Sequence, residues 1–219
     1  MRIKRILALF IFLLAITTGY AQPFSQDIAA FKKQDSISFP PKNAILFIGS
    51  SSFTKWTKVQ QDFPGYTIIN RGFGGSSLPD VINYADDIIF PYEPKQIVIY
   101  CGENDLAASD TVTAKLVIDR FKNLFFLIRD RMPAVPVIFV SLKPSPSREK
   151  LWPKMREVND GVKSFLKTKE KTVFVDVYRK MIKKNGKFKG DFFIEDKLHM
   201  NEEGYAIWQK AIKPYLLKD

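Results

Sequence analysis

Five short apolar runs set what this chain can fold into: 44–48 "AILFI", 67–69 "TII", 96–100 "QIVIY", 136–140 "PVIFV" and 172–177 "TVFVDV". They are rich in valine and isoleucine and lack strict alternation, the pattern of strands covered on both faces. Helical spacing fills the gaps. Leu78, Val81, Ile82, Ala85, Ile88 and Ile89 recur every three or four residues. So do Val117, Phe121, Leu124, Phe125 and Ile128, with Asp110 as the expected cap, and then Leu151, Met155, Val158, Val162 and Phe165. A last helix is expected after Asn201 as N-cap, with Glu202 and Glu203 in its first turn and Tyr205, Trp208, Ile212 and Tyr215 buried. Strands alternating with helices imply an α/β fold, a three-layer α/β/α sandwich around a mainly parallel five-stranded sheet.

The first 21 residues stand outside that pattern. Arg2, Lys4 and Arg5 precede an apolar stretch from Ile6 to Ile16, and small residues Gly19 and Ala21 close it. The stretch is short for a membrane span and reads as a cleaved export signal, with Gln22 as the new N-terminus; an uncleaved anchor is the other reading. The expected organisation is therefore a signal peptide (1–21), an N-terminal lead-in (22–43) and one domain (44–219). Residues 182–195 read as a loop or short hairpin. Export predicts a periplasmic or secreted protein. Cys101 is the one cysteine, so no internal disulfide can form, and its place at the end of "QIVIYC" reads as a buried, inert thiol.

The net charge is +11, and the three basic residues of the leader leave +8 for the remainder. Residues 163–189 hold ten Lys or Arg against Glu170 and Asp176, and alone account for +8. This segment is either a solvated lysine face or a patch for an anionic surface such as an acidic glycan. Export and the lack of a nucleic-acid motif argue against nucleic acid. Nothing after the leader is long and apolar enough for stable membrane insertion.

In open α/β sheets ligands bind beyond the carboxyl ends of the strands. The segments there are "GSSSF" (49–53), "NRGFGGSS" (70–77), "GEND" (102–105) and, before the last helix, "DKLHMN" (196–201). His199 is the only histidine, so base chemistry through histidine has one candidate, and Asp196 lies three residues before it. A serine nucleophile needs oxyanion donors. Gly72, Gly74 and Gly75 offer close backbone approach and Asn104 a side-chain amide; turn glycines and a turn-capping asparagine are the structural alternatives. One histidine and one cysteine do not make a metal-ligand set, and no cofactor is expected. "GFGGSS" departs from the dinucleotide fingerprint at Ser77 and follows the second strand. Phe53 stands where the G-x-S-x-G elbow needs glycine.

The four segments, in this order, resemble the SGNH (GDSL-like) hydrolase family over nearly the whole chain from Ala44 to the last helix. "LFIGSSSFTKW" is similar to the first block, usually G-D-S; "NRGFGGS" to the second; "GEND" to G-x-N-D; and "DKLH" to D-x-x-H. The resemblance implies a flavodoxin-like fold, with Ser51 as nucleophile and Asp196 and His199 completing a triad. It implies an oxyanion hole from the Ser51 and Gly75 backbone N–H groups and the Asn104 amide. Ser50 and Ser52 would turn the chain and cap the next helix. Ser50 replaces the usual Asp, and Met200 stands where the family commonly has proline, which bears on loop geometry and substrate choice. Arg71, Phe73 and "KPSPSR" (143–148) either line the pocket or serve packing. The expected activity is hydrolysis of acyl esters, short-chain and O-acetyl first, on a small-molecule or carbohydrate substrate. The alternatives are a lysophospholipase or other lipid acyl esterase, or a non-catalytic glycan-binding protein on the same scaffold.

Overall fold

The apolar runs become a single sheet in the structure, a computed structural model that describes residues 23–183 and 185–219. The leader and Gln22 lie outside the described residues. The strands are β1 (Ile45–Gly49), β2 (Ile68–Gly72), β3 (Gln96–Tyr100), β4 (Val137–Val140) and β5 (Thr172–Val175), in the order β2-β1-β3-β4-β5. Every pairing is parallel. The helices are α1 (Ser25–Ile37), α2 (Ser51–Thr54), α3 (Val59–Asp62), α4 (Leu78–Asn83), α5 (Ala85–Ile88), α6 (Glu103–Ala107), α7 (Ala114–Arg131), α8 (Trp152–Leu166), α9 (Tyr178–Met181) and α10 (Glu202–Ile212).

β1, β3 and β4 are buried along their whole length, which is why their sequences do not alternate. One helical layer packs α4 and α8 against α7. There Phe121 meets Phe139 at 4.7 Å and Phe165 meets Phe125 at 5.2 Å, ring centre to ring centre. The opposite layer is aromatic: Trp208 of α10 stands 4.7 Å from Tyr100 and 6.0 Å from Phe53, and Tyr205 stacks on Trp56 at 5.0 Å.

Several boundaries differ from expectation for local reasons. β2 runs on through Asn70 and Arg71, whose polarity hides the strand in the sequence. Asn70 donates to the Phe53 carbonyl at 2.7 Å, and Arg71 is buried by an ion pair. β5 stops at Val175, because the N–H groups of Val177 and Tyr178 both bond to Ser141 Oγ at 3.0 Å and turn the chain into α9. The 78–89 pattern is broken at Tyr84 into α4 and α5. Thr113, not Asp110, caps α7 by accepting from the Leu116 N–H at 3.2 Å. Asn201 does cap α10, accepting from Gly204. The described residues of segment 182–195 form only single antiparallel bridges, Ile182 with Phe188 and Phe193 with Met200.

The lead-in is a working part of the fold. α1 brings Asp35 onto Arg71 (2.5 Å), with the carboxylate also accepting from the Tyr92 hydroxyl, and the guanidinium lies over the Phe31 and Tyr92 rings. Burial, aided by the bond to Asp35, pushes the Tyr92 hydroxyl up to about 12. Arg71 therefore serves packing and does not line a pocket, and Phe73, with no exposed surface, belongs to the core. Asp35→Ala would strand a buried guanidinium without its counter-charge, an error costing about 3–5 kcal/mol. Urea unfolding of Asp35→Ala should show that loss at unchanged m-value.

Candidate active site

The chain reverses its build direction between β1 and β3, and the crevice at that switch holds the segments singled out in the sequence. Gly49 ends β1 at φ +137°, and a β-carbon there would lie 1.9 Å from the Tyr100 carbonyl oxygen of β3. Only glycine fits. The next N–H, of Ser50, donates to that carbonyl at 3.1 Å, and the chain turns at once into α2 with Ser51 at its first position.

Ser51 Oγ lies 2.8 Å from His199 Nε2, and His199 Nδ1 lies 2.6 Å from Asp196 Oδ2. Asp196 Oδ1 also accepts from the backbone N–H groups of Leu198 (2.9 Å) and His199 (2.8 Å). Partial burial pushes the Asp196 carboxyl up. The imidazole bond and the two backbone donors outweigh it and hold the group at about 2. An ionised Asp196 fixes the proton on Nδ1 and leaves the Nε2 lone pair for the serine hydroxyl. The loop is stitched by Ile194 N–H to the His199 carbonyl (2.9 Å) and Asn201 N–H to the Phe192 carbonyl (3.0 Å). Tyr205 ties it to the serine turn, donating to the Ser52 carbonyl at 2.9 Å.

The neighbouring loops converge through Ser76. Its hydroxyl bonds the Gly49 and Phe73 carbonyls, and its own carbonyl accepts from Asn104 Nδ2 at 2.9 Å. Asn104 is thus no turn cap, since its amide reaches 28 residues back along the chain. Arg148 Nη2 donates to Asn104 Oδ1 at 2.8 Å, which fixes the orientation of the amide and leaves the second N–H of Nδ2 for a ligand. The N–H groups of Ser51 and Gly75 donate to no other described residue. Gly75 takes φ +84° with the Phe24 ring beside it.

Ser50 stands at the N-cap of α2 without making a side-chain cap bond, and Ser52 is buried. Of residues 143–148, Lys143, Pro144 and Ser145 are buried and only Arg148 reaches Asn104. Beneath the loop lies an ionic cluster that the sequence reading does not foresee. Glu103 accepts from Lys143 (2.7 Å), Ser145 (2.7 Å) and Tyr100 (2.5 Å), with Arg148 at 3.6 Å. Burial pushes the Glu103 carboxyl up, but Lys143 and Arg148 prevail and keep it below its ordinary value. Asp105 anchors the other side, accepting from the Leu78 N–H and from Arg120. Cys101 is buried, and burial pushes its thiol well up. Among the described residues no three His, Cys, Asp or Glu side chains are grouped to hold a metal ion.

The sequence profile of the GDSL-like lipase/acylhydrolase family matches residues 35–207. Among solved structures, a GDSL-like lipase from Bacteroides thetaiotaomicron is 21% identical at TM-score 0.71, covering 85% of this chain and 95% of its own. A lipase/acylhydrolase from Enterococcus faecalis is 16% identical at TM-score 0.60, covering 80% and 98%. A Clostridium thermocellum family 3 carbohydrate esterase is 17% identical at TM-score 0.58, covering 78% and 95%. These likenesses show the fold. No curated protein matches the chain.

Because the folded state holds Asp196 below an unfolded carboxylate's value of about 3.9, it binds fewer protons there than the unfolded chain does. The stability from this group is present above about pH 4 and is lost as pH falls toward 2. The stability gap between the wild type and Asp196→Asn, measured by urea unfolding, should therefore narrow over that window.

Proposed function

Since the chain belongs to the GDSL-like lipase/acylhydrolase family, a family of hydrolases acting on esters, we propose that it is an exported serine esterase working through Ser51, His199 and Asp196. The observation that carries this reading is the continuous hydrogen-bonded chain from Asp196 Oδ2 through the imidazole to Ser51 Oγ, at 2.6 and 2.8 Å.

In this mechanism His199 Nε2 takes the proton as Ser51 Oγ attacks the acyl carbonyl, and Asp196 stabilises the imidazolium that forms. The oxyanion is received by the Ser51 and Gly75 N–H groups and by the free N–H of Asn104. His199 then returns the proton to the departing alkoxide. Water, activated by the same nitrogen, releases the acid from the acyl-enzyme.

The substrate proposed is a short acyl ester, with O-acetyl on a carbohydrate first. Neither the ≈540 Å³ cavity beside β5 nor the ≈340 Å³ one against α10 includes Ser51 or His199 in its lining, so neither is an acyl tunnel at the nucleophile. The carbohydrate esterase among the structural neighbours agrees with this choice but concerns that protein. The leader at residues 1–21 supports export to the periplasm or beyond. Among the described residues no helix is long and apolar enough to cross a membrane.

A screen of 4-nitrophenyl esters, followed by acetylated glycans, tests the reading. Acetyl should be cleaved fastest and long chains poorly, and Ser51→Ala should lose on the order of 10⁴-fold in kcat. A preference for long acyl chains would favour the lipid esterase instead.

Asn104→Ala should lower kcat by roughly 10²–10³-fold with little change in KM, because the charge it meets exists only in the transition state. A normal kcat in a less stable variant would reduce Asn104 to a tie between loops.

A further inference from the structure

The ≈540 Å³ cavity lies along the edge strand β5, between α8 and the 182–189 segment. Its volume is ordinary for a small-molecule site, about 300–1,000 Å³. Its lining is not ordinary. Arg156, Lys163, Arg179, Lys183 and Lys189 face two carboxylates, Asp160 and Asp176. Only Arg179 is paired with one of them, Asp176 at 3.4 Å, and its side chain is 74% exposed.

Among the described residues the remaining cations are held by neutral partners or by none. Arg156 donates to the Tyr178 hydroxyl at 3.1 Å, Lys189 to the Arg179 carbonyl at 3.0 Å, and Lys163 lies 5.9 Å from the Phe174 ring centre. Placing like charges around one concavity costs the folded state, a cost that an anion bound among them would offset. The lining adds a second feature. Phe174, half-buried, gives it an aromatic ring suited to the C–H face of a sugar, among planar guanidinium groups suited to carboxylates.

We propose that this cavity binds an acidic saccharide, recognised through its carboxylates by Arg156, Lys163 and Lys183 and through a ring face by Phe174. The site is distinct from Ser51: β5 stands three strands away from β1, a lateral distance of about 14 Å at ~4.8 Å per strand. It requires nothing of the ester chemistry. Its role is to hold the protein on an acidic polysaccharide.

The test is calorimetric titration of the full chain carrying Ser51→Ala, so that hydrolysis cannot intervene. The probe is trigalacturonate, with maltotriose as the uncharged sugar and tripolyphosphate as the sugar-free polyanion. Trigalacturonate should bind one site per chain, more tightly than tripolyphosphate, and maltotriose should not bind. Lys163→Gln combined with Lys183→Gln should weaken trigalacturonate by on the order of tenfold or more, with the melting temperature retained. The same pair in the Ser51 protein should leave 4-nitrophenyl acetate hydrolysis unchanged. No trigalacturonate binding, equal binding by the double variant, or tighter binding of tripolyphosphate would overturn the proposal.

Discussion

The contact between Gly49 and the Tyr100 carbonyl is the constraint on which the site depends. β1 and β3 are adjacent parallel strands whose connections leave in opposite directions, and the close approach at their carboxyl ends admits no side chain. That absence turns the chain within one residue and sets Ser51 at the mouth of the crevice. Phe73 N–H then bonds the Gly49 carbonyl at 2.9 Å and Ser76 Oγ bonds the same oxygen, so the second loop is hung from the same glycine. Asn104 in turn hangs from Ser76. A displacement at residue 49 would move Ser51, Ser76 and Asn104 together, which is how a site assembled from four distant segments keeps its geometry.

The buried charges under this crevice have a different character from the surface pairs. Glu103 and Lys143 are almost wholly inaccessible; Glu103 accepts from Tyr100, Lys143 and Ser145, and Lys143 also reaches the Tyr100 hydroxyl. Such a pair contributes little net stability over an apolar equivalent, yet losing either member would leave an unpaired charge inside. Its evident structural consequence is to seat Arg148, and through it the Asn104 amide. On the far edge of β2 the Asp35–Arg71 pair fastens α1 in a similar way, and the chain before it passes Phe24 beside Gly75. The lead-in therefore borders the site.

The parts legible in the sequence are those encoded within one segment. Apolar runs located all five strands, D-x-x-H placed Asp196 within reach of His199, and the post-strand rule picked out the loops that meet at Ser51. What escaped depended on partners distant in the chain. Arg71 stayed open between pocket and packing because its counter-ion, Asp35, lies 36 residues earlier in a segment without a strong pattern. "GEND" displayed Glu103, but nothing local tells that Lys143 and Ser145 would bury it. The break at Tyr84 is set by tertiary packing, with its hydroxyl bonded to the Pro23 carbonyl at 2.6 Å, and periodicity alone carried the helix through it. The cavity beside β5 was visible only as excess charge over 163–189; the fold converts a linear count into a concave arrangement.

The central claim is that Ser51, alone among three consecutive serines, is activated by His199. Its most direct test is reaction with a fluorophosphonate followed by peptide mass spectrometry, in the wild type and in His199→Gln. The account predicts one adduct per chain, on Ser51, formed orders of magnitude more slowly once the imidazole is gone. An adduct on Ser50 or Ser52, or labelling of Ser51 at the same rate without His199, would contradict it.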